Sequence, residues 1–203
     1  LLVDGEFPQD VIAIFNAQSE YLNDPAVRKA VFSTLDREAI VDTTMPGVGT
    51  VAERFFPDSL DWAVNNDIDF AKEYAVDIDA ANKVLDEAGY PRGADGTRFT
   101  LHVVYILTLT EVVGTVEMAQ SMLSELGIKF ELSAVGGAEY SEMLYKQGDF
   151  DLAFVRASLG ADPSLGITRY FVCNDERRTG YNPSQICDDE IDAAADAALD
   201  SSD

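Results

Sequence analysis

The chain has 203 residues, 47% of them hydrophobic and 10% aromatic, and its 37 Asp and Glu against 14 Lys and Arg give a formal net charge of -23. That is enough apolar material for one large domain or two small ones, and it excludes a disordered or low-complexity chain. So acidic a surface repels phosphate backbones and anionic lipid, which argues against nucleic-acid binding and electrostatic membrane docking and leaves solubility or adaptation to high salt as readings of the charge.

Leu101 to Leu109 is among the longest apolar stretches, and His102, Tyr105 and Thr108 interrupt it well short of the roughly 20 residues of a membrane-spanning helix. In chain order, Val11 to Ala17 is apolar and β-branched enough for a buried strand. Asp24-Pro25 pairs an N-cap with an N1 proline and predicts a helix from Pro25 to about Thr34. Asp36 caps a second helix, Arg37 to about Thr44, which Pro46-Gly47 ends before an irregular surface excursion containing Pro57 and Asn65-Asn66. Asp77 opens a helix in which Ala80, Ala81, Val84, Leu85 and Ala88 share a face, stopped by Gly89. Phe99 to Ile106 is predicted as a strand, Glu111 to Leu126 as a helix and Ile128 to Val135 as the next strand, which makes a β-α-β unit. Ala138 to Gln147 is predicted as a helix and Asp151 to Ala157 as a strand buried on both faces. Pro163 to Phe171 and Asp188 to Leu199 supply the last helices. No repeat or linker divides the chain, so the expectation is one α/β unit over 1–203 with a mostly parallel or mixed central sheet flanked by helices.

The chain starts Leu1-Leu2-Val3 and stops at Asp203 just after a helix pattern, the expectation for a piece of a longer protein. Cys173 and Cys187 stand 14 apart in a turn-rich segment with no histidine. Two thiols closing a short loop suit a disulfide better than zinc, which wants about four ligands, and a disulfide implies an oxidising compartment.

Catalytic patterns are sparse. The single histidine, His102, falls inside a predicted strand, where a core or flanking role is the better expectation than a Ser-His-Asp or Cys-His site. Walker A, G-x-G-x-x-G, G-x-S-x-G and H-E-x-x-H patterns do not occur. Asp67/Asp69, Asp77/Asp79 and Asp188/Asp189/Glu190 lack the EF-hand glycine and glutamate and sit where helix starts favour carboxylates, so no metal site is expected. No particular pair of acids stands out for two-carboxylate hydrolysis, the rival enzymatic reading. What remains is architecture, since ligands of α/β sheets gather beyond the carboxyl ends of parallel strands. Here these ends follow Ile106, Val135 and Ala157. The run Arg156 to Pro163 brings a guanidinium and a hydroxyl to a glycine-containing bend, and Arg156 is as well suited to a structural salt bridge as to a ligand.

The order of these pieces resembles a known family. Asn23-Asp24-Pro25-Ala26-Val27-Arg28-Lys29-Ala30-Val31 with Leu35-Asp36-Arg37-Glu38-Ala39-Ile40 resembles the "D-x-x-V-R-x-A … D-R-x-x-I" signature of the extracellular solute-binding proteins, family 5. Asp79 to Tyr90 is similar to its "A-x-x-L-L-x-E-A-G-Y", and Gly93 to Phe99 to its "G-x-D-G-x-x" turn into a strand. Gln120 with Leu126-Gly127-Ile128, then Asp162-Pro163, then Tyr181-Asn182 with Asp192 complete the resemblance in register over residues 10 to 199.

The resemblance implies the periplasmic-binding-protein-like lobe called domain III (class II) of a larger two-lobed protein. Such a lobe serves an ABC importer: it captures a peptide, nickel complex or other small polar solute by hinge closure and delivers it to a permease. It implies export to the periplasm or cell exterior, with any membrane association through a lipid anchor or the permease. It also supports the cysteine bridge, and it implies no catalysis and no cofactor. Two other roles stay open on the same fold or composition: a sensor or chaperone without transport, and a secreted hydrolase. Expected ligand contacts are Arg156, Ser158, Leu159, Asp162 and Tyr181, with Ile106 and Thr108 nearby; Asp162 can instead cap the Pro163 helix. Leu159 stands where dipeptide-binding relatives place an ammonium-holding aspartate, Ile106 and Thr108 where they place an arginine and a tyrosine, and Arg156 where a tryptophan is common. The resemblance therefore does not assign a dipeptide as the ligand.

Overall fold

The computed structural model describes residues 9–56, 62, 64–158 and 163–200, and its centre is a four-stranded sheet in the order β1-β4-β2-β3. Strand β1 is Gln9–Phe15, β2 Phe99–Ile106, β3 Ile128–Val135 and β4 Leu152–Ser158. The pairs β2/β3 and β2/β4 are parallel, and β1 lies antiparallel on β4, so the sheet is mixed. The bounds of β2 and β3 agree with the sequence reading. β1 instead starts two residues before Val11 and stops at Phe15, because Asn16 turns inward: its Nδ2 donates to the Phe150 carbonyl at 2.7 Å and to that of Gly148 at 3.3 Å.

Helix starts follow the acids. α1 (Pro25–Phe32) begins at Asp24, whose carboxylate accepts from the Ala26 N–H at 2.7 Å, and α2 (Arg37–Thr44) at Asp36, which accepts from the Ala39 N–H at 3.0 Å. Pro57 of the excursion after Pro46 lies outside the described residues; among those described, the excursion holds an element the sequence reading did not contain, the single turn α3 (Phe70–Glu73). Its N-cap Asp69 accepts from the Lys72 N–H. α4 (Ile78–Glu87) is capped by Asp77 through the Ala80 N–H at 2.9 Å. α5 is Thr110–Ser124; α6, Gly137–Ser141, continues as a π-helical turn over Glu142–Gln147 that ends at Gly148 with φ +66. α7 is Pro163–Tyr170 and α8 Asp189–Asp200, the latter opened by Asp188 accepting from the Glu190 and Ile191 N–H groups. All three acidic clusters thus supply a cap, through Asp69, Asp77 and Asp188.

The alternation of each strand divides the core in two. On one face Leu101, Val103, Leu152 and Phe154 meet Val27 and Val31 of α1, Leu85 of α4 and Val112, Val116 and Leu123 of α5. On the other, Ile14, Val104, Val135 and Ala153 meet Tyr140 and Leu144 of the α6 segment, closed off by Phe150. At the amino-terminal edge the Arg98 side chain is almost fully buried. It donates to the Leu126 carbonyl, to Asn82 Oδ1, to Asp86 and to the Tyr90 carbonyl, which ties α4 to the end of α5. Cys173 and Cys187 form a disulfide across the segment between α7 and α8, with Cα atoms 4.5 Å apart; Asp192 of α8 accepts from the Cys173 N–H at 2.9 Å. Among the described residues no helix is long and apolar enough to cross a membrane.

Candidate functional site at the carboxyl edge of the sheet

Three parallel strands end on one edge. Ile106 is paired with Val135, Tyr105 with Phe154, and antiparallel β1 enters at the same edge with Gln9 opposite Ser158. The chain leaves β2 through Leu107 and Thr108, both exposed, into α5, where Leu109 occupies the N-cap and offers no side-chain acceptor. Backbone N–H groups in the first turn of a 15-residue helix therefore stand uncapped by a side chain at this edge. After β3 the chain passes through Gly136 and Gly137 into α6, and a Cβ on either glycine would meet nothing within 4 Å.

Of the sequence-predicted contacts, Ile106, Thr108, Arg156 and Ser158 are brought to this edge, while Leu159 and Asp162 lie outside the described residues. Arg156 alternates with Leu152 and Phe154 and so emerges on the α5 side, where its Nη1 lies 3.2 Å from Oε1 of Glu111. Arg156 thus makes a salt bridge, one of the two roles expected of it. Its side chain is 45% exposed, and a pair this open adds at most about 1 kcal/mol. The partner, Glu111, was not singled out from the sequence, since 45 residues separate it from Arg156.

Tyr181 sits across the sheet from Arg156. With Tyr145, Arg169, Tyr170, Thr179 and Gly180 it lines a cavity of about 270 Å³, formed where the π-helical turn, the end of α7 and the disulfide-closed loop converge. Burial pushes the Tyr145 and Tyr170 hydroxyls above their ordinary pKa; Arg169 opposes this in part, and Asp10, itself raised by burial, adds to the rise at Tyr170. Both phenols are consequently protonated donors at neutral pH. Tyr140 behind them is 5% exposed and its hydroxyl has no hydrogen-bond partner among the described residues. The sequence did hold one sign of Arg169: a cation on a predicted helix whose neighbours at three and four residues either side, Leu165, Gly166, Val172 and Cys173, include no acid.

His102 lies on the α6 side of the sheet with Nε2 2.9 Å from Ser133 Oγ and Nδ1 3.4 Å from Asp149 Oδ1. It flanks the sheet, as expected. Among the described residues no group of three His, Cys, Asp or Glu is arranged to hold a metal.

Residues 8–177 match the family described as "Bacterial extracellular solute-binding proteins, family 5 Middle". Among curated proteins the chain is 27% identical over 135 residues to heme-binding protein A of Haemophilus influenzae, covering 66% of this chain and 24% of that one. It is 28% identical over 180 residues to a probable di/tripeptide-binding protein of Pseudomonas aeruginosa, covering 87% and 32%. The oligopeptide-binding protein AppA of Bacillus subtilis, solved with a nonapeptide, superposes with a TM-score of 0.81 at 23% identity over 97% of this chain and 40% of AppA. The chain thus spans well under half the length of these relatives, and the superposition shows a shared fold.

Proposed function

The chain belongs to the bacterial extracellular solute-binding proteins, family 5, and from that membership we propose that residues 1–203 are one lobe of a receptor that captures a small polar solute for an ABC importer. The observation that carries this reading is the open edge, where β2, β3 and β4 all deliver their carboxyl ends and the helix behind β2 begins without a side-chain cap. Such an edge is where α/β sheets gather ligands. A second lobe, closing by a hinge, supplies the opposite wall. Ile106, Thr108, Arg156, Ser158, Leu159, Asp162 and Tyr181 are the proposed contacts, a permease is the proposed partner, and the working compartment is the periplasm or cell exterior, with or without a lipid anchor. Peptides fit this reading, as do other solutes of similar size and polarity. The protein carries out no catalysis on them.

Native mass spectrometry of the full-length protein tests the proposal. A retained mass released on denaturation is expected, either a ladder of peptides or one small polar compound. Absence of any retained mass, together with no thermal shift on adding peptides or small polar solutes, would overturn it.

A further inference from the structure

The chain has nine arginines, all within the described residues, and eight have their guanidinium engaged. Arg28 and Arg37 donate to carbonyls, Arg92 to Asn82 and the Glu125 carbonyl, Arg98 to Asp86, and Arg177 to Gln18. Arg54 and Arg156 face Glu53 and Glu111, and Arg178 lies over the Tyr181 ring within 3.9 Å of Glu176. Arg169 is the ninth. Among the described residues its guanidinium makes neither a hydrogen bond nor an ion pair, in a chain with 37 acids. The hydroxyls of Tyr145, Tyr170, Thr179 and Tyr181, which line the same cavity, likewise make no hydrogen bond within the described chain. Tyr140, buried with its hydroxyl unpartnered among the described residues, is close enough to Tyr145 and Tyr170 to interact with them electrostatically.

We propose that this cavity is a carboxylate-binding pocket, with the Arg169 guanidinium as the charged anchor and the Tyr145, Tyr170 and Thr179 hydroxyls as donors. A guanidinium fork matches a planar carboxylate, and neutral hydroxyls complete its hydrogen bonding without adding charge. One cation in the field of a chain carrying -23 suits a monoanion rather than a phosphate dianion. The cavity volume, about 270 Å³, takes a small acid or the carboxylate end of a longer solute. The disulfide holds the loop that carries Thr179 and Gly180, so the pocket wall is covalently braced. Only the source of the carboxylate rests on the receptor reading; the pocket itself does not.

The test is an NMR titration of the ¹⁵N-labelled chain with sodium acetate at constant ionic strength, with acetamide as the neutral isostere. Acetate should saturate shifts of the Arg169 Nε–H and the Thr179 and Gly180 amides, and acetamide should not. Arg169→Gln should weaken acetate by about tenfold or more, with Arg169→Lys between the two. Because Arg169 is exposed and unpaired, the glutamine variant should melt with the parent, which separates lost binding from lost folding. Shifts that sodium chloride reproduces, or equal acetate affinity in Arg169→Gln, would overturn the proposal. In the full-length receptor, weaker retention of the co-purified solute in Arg169→Gln assigns the carboxylate to the solute. Unchanged retention beside a lost acetate response assigns it to a free acid. A receptor that retains no solute at all would count against the proposed function while the acetate titration stood.

Discussion

Gly127 and Gly89 end helical segments with φ of +79 and +91, but their surroundings differ. A Cβ at Gly89 would meet nothing within 4 Å, whereas at Gly127 it would overlap the Gly96 carbonyl oxygen and come within 2.8 Å of Arg92 Nη1. Gly89→Ala should therefore cost only the left-handed penalty of about 1 kcal/mol, and Gly127→Ala about 2 kcal/mol more from overpacking. Urea denaturation of the two variants checks this, and equal losses would place the whole cost in φ. Asp10 makes a different prediction. Burial holds its carboxyl above the ordinary 3.8, so the folded state binds its proton more tightly than the unfolded one. An acid shifted this way destabilises the fold above its folded pKa and is relieved as pH falls through that value towards the unfolded one. Asp10→Asn should raise Tm at about pH 7 and leave it unchanged at about pH 3, where both states are protonated. A Tm that drops at neutral pH would mean the charged carboxylate has a stabilising partner.

Among elements, caps and turns were legible because their signals are local. Asp24, Asp36 and Asp77 each accept the hydrogen bond that their position before an apolar periodic run predicts. Asp77→Ala should cost about 1 kcal/mol and Asp77→Asn almost nothing, by thermal unfolding. The cysteine pair was legible for a similar reason, since its members stand 14 positions apart across turn chemistry. A loop of that size closed covalently contributes about 3 kcal/mol, so replacing Cys173 and Cys187 together with serine should remove about that much, measured against urea. The single turn α3 escaped the sequence reading because four residues carry too little periodicity, and it is held from outside: Arg37 donates to the Phe70 and Tyr74 carbonyls at 3.1 Å. The cavity around Arg169 escaped as well. Its walls come from positions 145, 169–170 and 179–181, and no local pattern encodes their approach. The edge residues Ile106, Thr108, Arg156 and Ser158 could be placed in advance, because strand ends follow from strand periods.

For the molecule as a whole, the question is what the excess of carboxylates does to stability. The described ion pairs between exposed side chains, Lys29 with Glu73 at 3.9 Å, Lys83 with Glu87 at 3.8 Å, Lys129 with Asp95 at 3.2 Å and Arg178 with Glu176 at 3.9 Å, are each worth at most about 1 kcal/mol and weaken in salt. Against them stands the mutual repulsion of a chain carrying -23, which the folded state concentrates and the unfolded state dilutes. Going from about 0.1 M to about 1 M NaCl shortens the Debye length from about 10 Å to about 3 Å, a range over which both effects are screened. Repulsion runs over every pair among 37 acids and attraction over a few contacts, so the net change should favour the fold. Tm is expected to rise by a few degrees, equivalent to about 1 kcal/mol or more for a chain of this size. Repeating the melt with the Lys83→Gln variant separates the terms, since losing one exposed pair should steepen the salt response only slightly. A Tm that fell with salt would show that the few ion pairs outweigh the field. The acidity would then stabilise the lobe through its pairings, and a carboxylate approaching Arg169 would meet less opposing potential than the net charge implies.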